Sequence, residues 1–303
     1  WHAAWQSQKL NLSILFTTLM ILSLAMWKVH ILVQYKNYWK AFRYIFLAWV
    51  LIWLGWYAGG QVTILNILTW LTAPLLKPSW DVLLSDPILV SLMVFVLVSF
   101  AIWGRGVFCG WLCPFGSMQE LLAKFAKFIR IPQLKLSHAW HVRLWPVKYF
   151  LLFALVAIGF YSMADANVAS EIEPFKTAIS MKFNREWYFV LYAILLLGVG
   201  LVVERFFCRF LCPLGAFMVI GGKLRIFSIL KRRKECGSPC QLCSHDCPIN
   251  AIEPSGKIKM DECFYCLDCQ SLYYDQHKCP PLAQERKKRK RSFEPKLKPK
   301  FAE

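Results

Sequence analysis

The sequence predicts a mainly α-helical membrane protein of about five transmembrane helices, closed at its C-terminal end by a small cysteine-rich module. Three observations carry this. The chain is 57% hydrophobic yet has a formal charge of +18 over 303 residues, more apolar than a soluble domain of this length. Its apolar residues fall in near-continuous runs with basic residues between them. Eight of its twelve cysteines lie in one short stretch.

The runs cover residues 10–33, 44–57, 87–103, 149–163 and 187–203. A hydrocarbon core of roughly 30 Å needs about 20 helical residues. Some runs are shorter, and Trp39, Trp56, Trp145 and Trp187 extend them into the interface. Segment 61–76 is apolar but is flanked and broken by Gly59, Gly60 and Pro74, so it reads as an interfacial or re-entrant piece. Lys36, Lys40 and Arg43 follow the first run. Arg105, Lys124, Lys127, Arg130, Lys135, Arg143 and Lys148 follow the third. The opposite connections hold Lys77 in one, and Lys176, Lys182 and Arg185 among acids in the other. An excess of Lys and Arg marks the cytoplasmic side. The N-terminus is therefore expected on the outer side of the membrane and the cysteine-rich end in the cytoplasm. All twelve cysteines fall at cytoplasmic helix ends or in the tail, where thiols stay reduced. The chain begins at Trp1 without an initiating Met and reads as part of a longer protein. This divides it into a transmembrane domain (1–230), a cysteine module (231–283) and a basic tail (284–303).

Within the module, Cys236, Cys240, Cys243 and Cys247 precede Pro248, and Cys263, Cys266 and Cys269 lead to Cys279 and Pro280. Cysteine runs ending in Cys-Pro are the ligand pattern of paired [4Fe–4S] cubanes, and eight thiolates serve two cubanes. The module therefore reads as a ferredoxin-like two-cluster unit. The spacing departs from the bacterial pattern: three residues separate Cys236 from Cys240, and Cys279 stands well beyond Cys269. Two zinc ribbons would want paired knuckles rather than triplets. By analogy with two-cluster ferredoxins, where the fourth cysteine of each run serves the other cluster, one set is Cys236, Cys240, Cys243 and Cys279. The other is Cys263, Cys266, Cys269 and Cys247.

The remaining cysteines form an internal repeat, FCGWLCPFG at 108–116 and FCRFLCPLG at 207–215. Cys109 and Cys113, like Cys208 and Cys212, are four apart and would share a helix face, with Pro114 and Pro213 ending or kinking the turn. Converging thiolates would suit a single iron or zinc ion, copper, a further iron–sulfur cluster or a thiol relay. Buried inert cysteines at helix ends are the bland alternative. Glu171 and Glu173 precede the last run and read either as a solvated acidic turn or as a docking or quinol-interacting site. The run RKKRKR at 286–291 suits anionic lipid better than nucleic acid. Ser-His-Asp arrangements, phosphate-binding glycine loops and paired catalytic carboxylates are missing, so the chain reads as an electron carrier rather than a stand-alone enzyme.

Three stretches, WGRGVFCGWLCPFG at 103–116, EPFKTAI at 173–179 and KECGSPCQLC at 234–243, resemble the NosR/NirI membrane iron–sulfur proteins of denitrification. NapH, of periplasmic nitrate reduction, is a more distant likeness. The resemblance runs over nearly the whole chain. It implies a bacterial inner-membrane protein, its N-terminus then periplasmic, that supports nitrous oxide reductase through electron supply, maturation of its copper centres, or both. A redox-sensing factor and a NapH-like quinol dehydrogenase subunit are the rival implications. Proteins similar to NosR carry an outer flavin domain. No such domain lies in these residues, so flavin is not assignable to this chain and would belong to a missing domain or a partner subunit.

Overall fold

Apolar residues on every side make Lys9–Trp27 (α1) a helix that cannot hide its surface in a small bundle. Leu10, Phe16, Met20, Ile21, Leu24 and Trp27 all stay exposed along it, a patch too large for a water-facing monomer. The computed structural model describes residues 2–76, 86–134, 136, 138–223 and 225–293; Lys77, Lys135 and the end of the basic tail lie outside the described residues. Lys36–Trp49 (α2) runs into a π-helical turn, Val50–Tyr57, and Ile64–Leu76 (α3) follows. Pro87–Ile102 (α4) is started by Asp86, whose carboxylate accepts from the amides of Ile88 and Leu89. Then come Pro114–Phe128 (α5), Val147–Tyr161 (α6), Trp187–Val202 (α7), Pro213–Gly222 (α8) and Pro280–Phe293 (α9).

Two helices, Lys9–Trp27 and Ala139–Tyr161, are long and apolar enough to cross a membrane. Pro87–Ile102 and Trp187–Val202 are apolar but 16 residues each. The run at 44–57 becomes the apolar half of α2 and its π-helical continuation. Five full-length spans are thus not what the helices show by themselves. The reason is local. After α4 the chain turns at Gly104, and after α7 at Arg205, with φ of +83° and +56°. Both turns send the chain back into the bundle instead of prolonging the helix.

Those returning segments form the two hairpins of the repeat. Helix α5 packs against α2, its π-helical turn and α7, and α8 packs against α6. Segment 105–148, expected as a cytoplasmic connection, therefore contributes a central helix. The sequence also has Pro114 and Pro213 as stops, whereas each occupies the first turn of a new helix, where its missing N–H costs nothing. The module, 231–283, is built from turns, the short helices Leu242–Asp246 and Asp268–Tyr274, and an antiparallel bridge between Ile252 and Ile258.

Two charge triads lie inside this bundle. Glu120 on α5 accepts a bidentate pair from Arg43 at 2.8 Å and a further bond from Arg205. Glu262 accepts from Lys148 at 2.7 and 2.9 Å, from Arg105 at 3.4 Å and from the Trp145 indole. All of these charged residues are buried. Breaking a buried ion set by deleting one partner leaves a bare charge, at a cost of about 3–5 kcal/mol. Glu120→Ala is therefore expected to lower thermal stability in detergent by about that much, measured as unfolding against temperature, with Glu120→Gln intermediate.

Candidate cysteine-ligand site

The module's eight cysteines border two adjoining cavities. One, of about 300 Å³, is edged by Cys243, Cys247, Cys263, Cys266 and Cys269. The second and narrower one is edged by Cys236, Cys240, Cys243 and Cys279. Among the described residues no three His, Cys, Asp or Glu side chains converge at single-ion spacing. Thiolates around a cubane stand further apart, because the inorganic core lies between them. A neighbouring group favours an anionic occupant. Arg209 is buried, donates to the Pro248 carbonyl at 3.4 Å and approaches His141 Nδ1 at 3.1 Å. Its Nε has no partner, and no carboxylate pairs with it among the described residues. A guanidinium so placed, one residue from Cys247, suits a negatively charged thiolate-bound group. Burial pushes the Cys263 thiol up to about 12 and raises Cys247, Cys243 and Cys269 as well. The free thiols are therefore neutral, and iron must displace their protons on binding.

Residues 263–266 plug the module into the repeat. The Phe264 ring lies between two guanidiniums, with Arg105 at 4.7 Å and Arg205 at 4.8 Å from its centroid, a desolvated cation–π pair. The Tyr265 carbonyl accepts from Trp111 Nε1 at 3.0 Å and Arg43 Nη1 at 3.2 Å, and its hydroxyl donates to the Trp103 carbonyl at 2.5 Å. Gly110 is required here: a Cβ on it would stand 1.8 Å from the Phe264 oxygen. In the second repeat the same place, directly after the first cysteine, is Arg209.

Each repeat is tied to the other. Arg105 donates to the Gly215 carbonyl at 3.2 Å, and Arg205 to the Cys109 carbonyl at 2.7 Å. Cys109, Cys113, Cys208 and Cys212 are all buried and lie within Coulombic reach of one another. The sequence reading puts them at helix ends, and the structure adds that all four are buried. Cys109 sits in a π-helical turn. Cys113 and Cys212 cap α5 and α8, their sulfurs accepting from the amides of Gly116 at 3.4 Å and Gly215 at 3.1 Å. The helix N-termini thus face the thiols, but burial outweighs them and raises both Cys113 and Cys212.

The far side of the thiols is closed by segments 59–64 and 170–180. Gln61 accepts from the Phe115 amide at 3.4 Å and approaches Cys113 Sγ at 3.8 Å. Glu173 does the equivalent for the second repeat, accepting from the amides of Leu214 at 3.3 Å and Ile64 at 3.1 Å. Neither acid of the expected turn is a free docking group: Glu173 is buried, and Glu171 is held below the usual carboxylate range by Arg185 and Lys176.

The NosR family model matches residues 234–290. A 4Fe-4S binding domain model matches twice, over 85–132 and 186–234, the two stretches that hold the repeat. A regulatory protein NosR of Pseudomonas aeruginosa is 57% identical over 93 residues, 30% of this chain and 93% of that relative. The chain belongs to the NosR/NirI family. A longer NosR of Pseudomonas aeruginosa is 47% identical over 292 residues, 96% of this chain and 41% of the relative. NirI of Paracoccus denitrificans is 42% identical over 295 residues, 97% and 43% respectively. The chain thus spans about two fifths of the length of these longer NosR and NirI relatives. NapH of Escherichia coli is more distant, 26% identical over about half of each chain. No solved structure matches.

Sequence reasoning missed the groups that join NosR-like module and bundle: Phe264, Arg43, Arg205, Arg209, Glu120 and Glu262. The available signal was charge at apolar borders, Glu204-Arg205 directly after a hydrophobic run being the clearest case. Gly110→Ala is expected to unseat the plug and raise backbone hydrogen exchange at 262–267 by at least tenfold while the module keeps its iron. Reconstitution of the iron-free protein is expected to release protons and to become more complete as pH rises, read by a pH indicator and by iron content.

Proposed function

We propose that the chain is the membrane electron-transfer part of a system that supports nitrous oxide reductase, by electron supply, activation of the copper enzyme, or both. The observation that carries this is the seating of the stretch between Cys263 and Cys266 directly against the first Cys-x-x-x-Cys-Pro repeat and against Arg105 and Arg205, the arginines that precede the two repeats. On this reading Cys236, Cys240, Cys243 and Cys279 hold one [4Fe–4S] cluster, and Cys247, Cys263, Cys266 and Cys269 hold a second. Such clusters pass single electrons. Cys109, Cys113, Cys208 and Cys212 form a further metal or redox centre. The chain's own part is to orient: Arg105 and Arg205 grip Phe264, Gly110 admits its backbone, and Arg209 supplies positive charge beside Cys247.

The same reading gives five membrane crossings, a periplasmic N-terminus and a cytoplasmic module. Its support is the exposed apolar girdle, the two full-length apolar helices and the basic residues on one side. Electrons would then cross by way of the buried thiols, toward a periplasmic acceptor or from quinol, with flavin belonging to another domain or subunit. The printed name of several relatives, regulatory protein, favours a second reading: a redox sensor or maturation factor without steady flux.

The deciding measurement is iron and acid-labile sulfide per chain on anaerobically purified protein, with EPR after dithionite. About eight of each are expected from two cubanes, and zinc with little sulfide would overturn the reading. Cys266→Ala should lose about four iron and stay in the membrane. Cys109→Ala with Cys208→Ala should remove any centre at the repeat. Reoxidation of reduced protein by a periplasmic acceptor separates a carrier from a sensor, which would change partner binding alone.

A further inference from the structure

At the basic side of the bundle the start of the run Ala139–Tyr161 and the end of α8 diverge, and residues 257–262 of the module close the gap. Between them lies a cavity of about 810 Å³. Its inner wall is apolar, made by Val142, Trp145, Val219, Ile220 and Met260, of which Val142 and Ile220 are exposed. Its rim is charged, and the charges do not cancel. Arg225 pairs with Asp261 at 2.5 Å and Lys259 with Glu253 at 3.5 Å. Glu262 is occupied by Lys148 and Arg105. Lys223 and Lys257 are exposed on the same rim and form no ion pair among the described residues.

We propose that this cavity seats one anionic phospholipid. Its phosphate lies against Lys223 and Lys257, and its acyl chains run along Val142, Val219 and Ile220. Basic pockets between membrane helices on the cytoplasmic side take anionic head groups, and the lysine stems can lie along the apolar wall. A free phosphate would have no use for the apolar wall. A neutral quinone would gain nothing from two surplus cations. The bound lipid ties 257–262, the stretch leading directly into Cys263, to the membrane surface, so it steadies the segment that carries the plug.

The proposal rests on the membrane reading of Ala139–Tyr161. The test is native mass spectrometry of the full, iron-loaded chain in detergent with added phosphatidylglycerol or phosphatidylcholine. One phosphatidylglycerol should be retained, with phosphatidylcholine held roughly 30-fold more weakly, as two basic contacts predict. Lys223→Gln with Lys257→Gln should abolish that preference, while Lys287→Gln with Lys288→Gln, an equal change of charge on α9, should keep it. Unchanged iron content shows that the first pair has folded. If iron is lost, Lys223→Arg with Lys257→Arg must still retain the lipid. Equal retention of both lipids, or displacement by a quinone analogue or by millimolar inorganic phosphate, would overturn the site. Release of the chain from membranes by alkaline carbonate would overturn the membrane reading itself, whereas a chain that stays in the membrane without lipid preference sinks the lipid site alone.

Discussion

A carboxylate taken out of water has to be met by hydrogen-bond donors or opposite charge, and the structure depends on two places where a pair of cations does this. Glu120 and Glu262 each face a pair of cations. Such sets add little net stability compared with an apolar core. What they add is register, because a bare charge in any shifted arrangement would be expensive. The two sets share purpose as well as form. Arg205 belongs to the first and Arg105 to the second, and their guanidiniums are the two faces of the slot that holds Phe264. The charge pairing that makes the bundle self-consistent also fixes where the cysteine module sits.

The second organising feature is the return of the chain into the bundle. Gly104 and Arg205 bend it back, the prolines open new helices, and the caps of those helices are thiols. From the other end, segment 170–180 folds inward. Phe175 meets Phe115 at 5.1 Å and Phe207 at 5.7 Å, so this connection touches the repeat hairpins directly. A path from the module to this connection is thereby divided into short stages: Cys263–Cys266, then the plug, then the four thiols, then Glu173 and Phe175. On the proposed reading, a hydrocarbon core of roughly 30 Å is an obstacle to a single electron jump, and a redox group at the four thiols would divide it.

Much of this was legible in the chain, though unevenly. The grouping of Cys236, Cys240, Cys243 and Cys279 apart from Cys247, Cys263, Cys266 and Cys269 rests on analogy with two-cluster ferredoxins, while in the structure Cys243 lines both cavities. The repeat was legible because it is nearly identical at 108–116 and 207–215. Its place was not, because Pro114 reads equally well as a stop or a start, and only packing decides. Segment 105–148 looked like a basic connection since Lys124 and Lys127 sit on the same amphipathic stretch that buries Glu120. The partners of Glu120 are 77 and 85 residues away, beyond the reach of any local pattern. Phe264 looked like a spacer between ligands, and nothing in its neighbours marks it as the plug.

A site built from two near-copies poses a problem of degeneracy. If both halves presented the same surface, a peptide wedge entering between them could seat in two orientations of similar energy, and the module would be divided between them. Here the copies differ at the residue after the first cysteine. Gly110 leaves the space that the Phe264 carbonyl fills, and Arg209 occupies the equivalent place with a guanidinium directed at Pro248. Among the three differences between the nine-residue copies, this one turns a two-way fit into a one-way fit.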